Sequence, residues 1–215
     1  MLVDFHCDTI SELLNNGGEL ASNDLSVDLE KLKTAGSLAQ VFALYVDLRG
    51  ETDPLVRGRE LLSLFQRELA KNAQVMSLAV NRRDIDRHKR EGKISALLAV
   101  EDGGVFKGRL PNFNWFFARG MRIVTLTWNY PNEIGYPNCR PEFQTRGLTE
   151  FGRELVATMN RQGVIVDVSH LSDQGFYDVA GLATKPFMAS HSNARTITDH
   201  PRNLTDDMLR TLAAK

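Results

Sequence analysis

Apolar residues fall into two alternating patterns along the chain. Short β-rich runs occupy Leu2–Asp8, Ala39–Val46, Ile94–Glu101, Arg122–Trp128, Val164–His170 and Pro186–His191. Between them lie longer stretches whose apolar positions recur at helical spacing. Pro54–Asn72 predicts one helix, and Thr149–Gln162 predicts another that Gly163 stops. Ser172–Leu182 opens on a serine cap. Thr205–Ala214 opens on a threonine cap followed by acidic residues, which suit the positive end of a helix. Strands alternating with helices predict βαβ units and a parallel sheet. No repeat, low-complexity tract or linker interrupts the alternation, so residues 1–215 are expected to form a single domain.

A doubly wound sheet and a TIM barrel both fit this alternation, and the polar residues decide between them. His6 and Asp8, Glu101, His170 and His191 all stand at the C-terminal ends of their runs. In a barrel those ends converge on the face where active sites lie. A Rossmann fold would need a glycine-rich phosphate turn after its first strand, where this chain has Cys7-Asp8-Thr9. The expected fold is therefore α/β, a (β/α)8 TIM barrel of the metal-dependent hydrolase type. The chain supplies six βα units, whereas a closed barrel needs eight and typically ~250 residues. The expectation is a barrel truncated after about six units, its C-terminal units missing. Six strands leave two edges unpaired, which invites association. A second copy of the chain or a complementing C-terminal segment is thus an expected partner. The first and sixth strands cannot pair directly, so His6 and His191 are expected to face one another across a gap.

Residues i and i+2 of a strand share a face, so His6 and Asp8 should point together and Cys7 away. A histidine nitrogen and a carboxylate oxygen so placed can ligate one ion, or simply hydrogen-bond at a strand end. His170 closes the apolar run from Val164, and His191 closes the run from Pro186. An unpaired polar group buried there would cost ~1–3 kcal/mol. A lone histidine of this kind favours a satisfied core residue, whereas two on adjacent βα units favour ligands. Glu101 precedes Asp102-Gly103-Gly104. Its two oxygens could bridge two ions, the glycines admit close backbone approach, and Asp102 belongs to the turn. Three histidines and two carboxylates form a mixed nitrogen and oxygen set suited to zinc. The expected cofactor is two zinc ions per chain, about 3.5–4 Å apart, sharing Glu101 and a hydroxide derived from water. The expected chemistry is hydrolysis of an acyl bond.

Composition narrows the partners. The chain is 42% hydrophobic and 25% charged with a net charge of −1, an ordinary globular balance with no surface for nucleic acid or anionic membrane. The basic stretch Arg82 to Arg90 is interleaved with Asp84 and Asp86 and is expected to be a solvated helix face. Two cysteines, Cys7 and Cys139, do not make a disulfide framework, which points to a reducing cytoplasm. No basic-then-apolar leader precedes Leu2-Val3-Asp4-Phe5-His6, and no apolar run approaches the ~20 residues that span a bilayer. Neither a signal peptide nor a membrane partner is expected.

Five segments carry a resemblance. They are Val3-Asp4-Phe5-His6-Cys7-Asp8-Thr9, Glu101-Asp102-Gly103-Gly104, Val124-Thr125-Leu126-Thr127, Asp167-Val168-Ser169-His170-Leu171-Ser172, and Ser190-His191-Ser192-Asn193 with His200-Pro201-Arg202-Asn203-Leu204. Together they resemble the membrane dipeptidase (renal dipeptidase) family, peptidase family M19, within the amidohydrolase-like TIM barrels. The resemblance implies one zinc on His6 and Asp8, a second on His170 and His191, and Glu101 as bridge and catalytic carboxylate. Arg202 matches the arginine that binds the substrate's terminal carboxylate, a task its guanidinium fork suits. The other reading of Arg202 is a surface salt bridge. Implied substrates are dipeptides, in bacterial members often with a D-residue at the C-terminal position, in peptide salvage or cell-wall peptide turnover.

The chain departs from the family pattern twice. Where many members carry a histidine that polarises the scissile carbonyl, it has Trp128, which donates one hydrogen bond but cannot become cationic. Trp128 and Asn129 are expected in the substrate pocket, with Asn129 or Asn132 as substitute donor. The family's last-strand aspartate, thought to transfer protons, has no equivalent within these residues. The 215-residue chain by itself is therefore expected to be nearly inactive. One alternative is another binuclear hydrolase, such as a lactonase or deaminase. Those usually carry His-x-His on the first strand and often a carboxylated lysine, against which His6-Cys7-Asp8 and Glu101 argue. The other alternative is an inactive metal-binding fragment.

Overall fold

A computed structural model describes residues 2–50 and 53–215. The strands are β1 (Leu2–Asp4), β2 (Ser37–Tyr45), β3 (Met76–Leu78), β4 (Ile94–Glu101), β5 (Met121–Thr125) and β6 (Ile165–Asp167). Every pairing is parallel, in the order β1-β2-β4-β5-β6. Short β3 pairs with the first residues of β4, beside the stretch where β5 joins. The helices are α1 (Thr9–Asn16), α2 (Leu29–Thr34), α3 (Pro54–Lys71), α4 (Arg82–Arg90), α5 (Leu110–Phe117), α6 (Glu150–Gln162), α7 (Asp173–Leu182) and α8 (Asp206–Ala213). The fold is α/β: a parallel sheet curled into a half-barrel of TIM-barrel type. Among the described residues, no helix is long and apolar enough to cross a membrane.

Capping explains where most of the helices begin. Asp53, Asn81, Thr149, Ser172 and Thr205 each accept a hydrogen bond from a first-turn N–H, a contact worth about 1 kcal/mol. Gly163 ends α6 in a left-handed conformation at φ +72°, which glycine adopts without steric penalty. The main core lies between sheet and helices. Phe42 of β2 meets Phe65 of α3 at a ring separation of 5.7 Å, both fully buried. Burying each such side chain contributes about 1.5–3 kcal/mol. A smaller cluster of Val41, Ala99 and Ile123 fills the inner face of the curl, with Leu97 and Met188 against it. At the arc's flanks, Val3 pairs with Ala39 and Ile165 with Ile123. Val3 and Ile165 stay 37% and 40% exposed.

The structure shortens the expected strands. Pro186–His191 contributes a single parallel bridge, Met188 to Asp167, rather than a full strand. Pro186 has no N–H to give. Beyond Met188 the Ser190 and His191 N–H groups turn to the Asp167 carboxylate and the Ser169 hydroxyl. The runs Leu2–Asp8, Arg122–Trp128 and Val164–His170 likewise leave the ladder early. Their last residues belong to the loops that build the site.

Candidate metal centre

Each candidate ligand stands at or just past a C-terminal strand end. Glu101 is the last residue of β4, His6 follows β1, and Asp8 is the cap residue of α1. His170 follows β6, and His191 follows the Met188 bridge. His6 and His191 do not face each other across a gap: their rings lie 4.0 Å apart. The two backbones need not pair, because the imidazoles span the distance between them.

Glu101 sits at the centre, 2% exposed. Its Oε2 is 3.1 Å from His6 Nε2, and His6 Nε2 is 3.4 Å from Asp8 Oδ1. Its Oε1 is 3.2 Å from His170 Nε2 and 3.5 Å from His191 Nε2, and those two nitrogens are 3.0 Å apart. The two oxygens thus serve two separate donor sets. Ligands on a tetrahedral zinc with bonds of ~2.0–2.1 Å stand roughly 3.3 Å from one another, so both sets have the right spacing. His6, Glu101 and His191 also offer ligand atoms all within 4.8 Å of one another.

Two further observations fit a cation. The buried Asp8 Oδ1 has no hydrogen-bond partner. His170 Nδ1 lies 3.3 Å from Asn129 Oδ1, an acceptor, so that nitrogen carries the hydrogen. Its Nε2 then carries a lone pair, 3.2 Å from Glu101 Oε1 and 3.0 Å from His191 Nε2. A buried polar group left so is costly, and a metal ion would satisfy it.

The electrostatics agree. Burial pushes the Glu101 carboxyl up, but the imidazoles of His170, His191 and His6 around it outweigh that and hold the group well below the usual range. Burial lowers the His6 pKa, yet the carboxylates of Asp8 and Glu101 prevail and raise it to about 10. In the metal-free protein a proton on His6 therefore supplies the missing cation. Burial holds His170 below its ordinary value despite Glu101, which keeps it neutral as a ligand must be. Burial also raises the Cys7 thiol to about 12 and turns it inert.

Loop strain marks the same place. His170 and Asp102 hold φ of +69° and +73°, at a cost of about 1–3 kcal/mol each. The His170 carbonyl is pinned by Asn138 N–H at 2.8 Å and the Thr127 hydroxyl at 3.3 Å. Asp102 takes Gly104 N–H at 3.0 Å and Asn132 Nδ2 at 2.7 Å.

A cavity of about 320 Å³ opens over the centre, lined by His6, Asp8, Tyr45, Glu101, Trp128, His170, His191 and Arg202. Tyr45 was not expected there, although it ends β2 at the level where the other strands place their ligands. Trp128 packs edge-on against Tyr45 at 4.9 Å. Asn129 is not in the lining, because its side-chain oxygen is turned to His170. Asn132 is no substitute donor either: its amide is used on Asp102 and the Leu126 carbonyl. Arg202 touches the Ser192 hydroxyl at 3.4 Å and the His191 carbonyl at 3.3 Å. Among the described residues no carboxylate lies within ion-pair distance of it, so it is not a surface salt bridge. Burial lowers its pKa against the pull of Glu101 and Asp167.

Fold and site together define a curled parallel α/β sheet with a cluster of possible metal ligands at the C-terminal ends of its strands. The family model for membrane dipeptidase (peptidase family M19) matches residues 1–215, and the chain belongs to that family. A Klebsiella pneumoniae protein described as an uncharacterized protein in the pqqA 5′ region is 34% identical over 170 residues, 74% of this chain. The chain spans 60% of that protein's length. The solved dipeptidase AC, a metallo peptidase, is 26% identical with a TM-score of 0.90, over 99% of this chain and 69% of that one. A Rhodobacter sphaeroides metallo peptidase, solved with a phosphinate mimic of the dipeptide L-Ala-D-Ala, shares the fold. Its TM-score is 0.89 at 24% identity, over 99% of this chain and 71% of that one.

Proposed function

We propose that this chain carries the binuclear zinc centre of a dipeptidase. His6 and Asp8 would hold one ion, His170 and His191 the other, and Glu101 both. The observation that carries the reading is the division of the two Glu101 oxygens between two donor sets at ligand spacing. Bound zinc would supply a Lewis acid for the scissile carbonyl and a water of pKa lowered to ~7. The remaining work falls to the chain's own groups. The Arg202 guanidinium, without a carboxylate partner among the described residues, would take the dipeptide's terminal carboxylate and so fix which bond lies over Glu101. Tyr45 and Trp128 form the apolar wall that excludes water and bounds the side chain next to the cleaved bond. The Trp128 indole N–H is a neutral donor in the same cavity.

The same reading takes residues 1–215 as one domain and places the protein in the cytoplasm, supported by the free thiols of Cys7 and Cys139. Because the chain spans only 60–69% of the Klebsiella protein and dipeptidase AC, full activity is assigned to a protein of the relatives' length. The test compares both lengths after zinc loading on a panel of L,L and L,D dipeptides, following release of free amino acids. Hydrolysis by the longer chain that chelation abolishes is expected. Hydrolysis that survives complete zinc removal, or none on any dipeptide, would overturn the reading.

A further inference from the structure

Behind His191 lies a chain of hydrogen bonds that the proposed function has not used. Asp167, 1% exposed at the end of β6, receives four donors. Its Oδ1 takes the N–H groups of Ser169 and Ser190, each at 3.0 Å. Its Oδ2 takes the hydroxyls of Thr125 and Ser190, each at 2.6 Å. The Ser190 oxygen in turn lies 2.7 Å from His191 Nδ1. We propose that Asp167 and Ser190 form a positioning relay that fixes His191 as the Nδ1-protonated tautomer, so that its Nε2 lone pair is presented to the metal centre. This inference rests on the zinc site proposed above.

Proton counting carries it. A serine hydroxyl has one hydrogen, and a carboxylate can only accept. The Ser190 hydrogen therefore goes to Asp167, and Ser190 can only accept from His191. That places the imidazole hydrogen on Nδ1 and leaves Nε2 bare, 3.5 Å from Glu101 Oε1 and 3.0 Å from the bare Nε2 of His170, so that the lone pairs converge where an ion would sit. Ser169 reinforces the geometry, because its hydroxyl accepts the His191 N–H at 3.2 Å and lies 3.3 Å from the Ser190 hydroxyl. A carboxylate that orients a ligating histidine is a known way to set tautomer and affinity. Here a serine stands between the two. The same carboxylate gathers backbone N–H groups from the loops bearing His170 and His191, so one buried charge sets both ligands of the second ion.

Two substitutions separate the relay from simple support. In Asp167→Asn the backbone N–H groups hold the amide oxygen in the Oδ1 position, so its NH2 faces Ser190 as a donor. The Ser190 hydrogen is then free for His191 Nδ1, and the imidazole hydrogen moves to Nε2, where it blocks ligation. Ser190→Ala removes the acceptor with a minimal change of volume and stands as the test should Asp167→Asn fail to fold. Ser190→Thr keeps the hydroxyl and should behave as wild type. Long-range proton–nitrogen NMR of neutral His191 in metal-free protein reads the tautomer. Chelator competition reads zinc affinity.

The wild type and Ser190→Thr should show Nδ1–H. Ser190→Ala and Asp167→Asn should gain Nε2–H and bind one of the two zinc ions roughly 10–100-fold more weakly. An Nε2-protonated His191 in the wild type overturns the relay, as does a Ser190→Ala protein with unchanged tautomer or unchanged affinity. A wild type that binds no zinc would sink the site reading instead, and the NMR result would still decide the relay.

Discussion

Replacing Glu101 by glutamine keeps its shape and removes its charge. In the metal-free protein the carboxylate touches three histidines, at 3.1 Å, 3.2 Å and 3.5 Å. Those same oxygens would face the two ions, one each. A charge-assisted contact is worth about 1.5–3 kcal/mol, which is roughly 10- to 150-fold in affinity. Because the oxygens serve different donor sets, the loss should fall on both ions, each by about that factor. His170→Ala removes a ligand of one set only, so it should empty one ion and spare the other. The assay is zinc content per chain after dialysis against graded chelator, with melting curves in excess chelator to show that the variants fold. Two weakened ions in Glu101→Gln and one in His170→Ala are expected. Glu101→Gln with wild-type zinc content, or with loss confined to one ion, would refute the bridging role.

Two further outcomes follow from the same geometry. Arg202→Ala should lower kcat/KM for free dipeptides about 10- to 150-fold while barely affecting C-terminally amidated dipeptides, and equal losses would show that Arg202 is structural. His6, raised to about 10 in the metal-free protein, stabilises that form fully below its unfolded pKa of ~6.5 and loses the effect as pH rises through 10. Zinc must displace its proton, so calorimetry at pH 8 in buffers of different ionisation heat should show about one proton from His6 beyond any given up by zinc-bound water. Zinc uptake without proton release would contradict the assignment.

Much of this arrangement is legible in the residues alone. Thr149, Ser172 and Thr205 announce their helices because a hydroxyl before an amphipathic stretch has one structural use. His6, Glu101, His170 and His191 stand out because each ends an apolar run. Other features were hidden for physical reasons. The strand β3 is three residues long, too short for periodicity to register. Pro186–His191 has strand-like composition, but side-chain acceptors take the N–H groups that a ladder would need. Nearness to Trp128 in the sequence suggests Asn129 and Asn132 as donors, yet the partners of an amide depend on loop folding. Asp167 did carry a signal: an acid between valines in a run of apolar residues must be paired once buried. Its partner was not to be found in the sequence, because Ser190 belongs to the next βα unit.

His6 and His191 stand near opposite ends of the chain, yet their rings touch. Drawing together points so far apart costs an unfolded chain roughly 4–5 kcal/mol of entropy. A ligand that binds only the folded state offsets such a cost, by about 2.7 kcal/mol at a hundred times its Kd. Ions shared among these side chains would thus cross-link the first and last strands of the arc, as a disulfide might in a protein whose two cysteines were near enough to pair. Metal affinity and folding then become one linked equilibrium. A substitution that loosens the sheet anywhere between β1 and β6 should appear as weakened zinc binding, even where the altered residue lies far from any ligand.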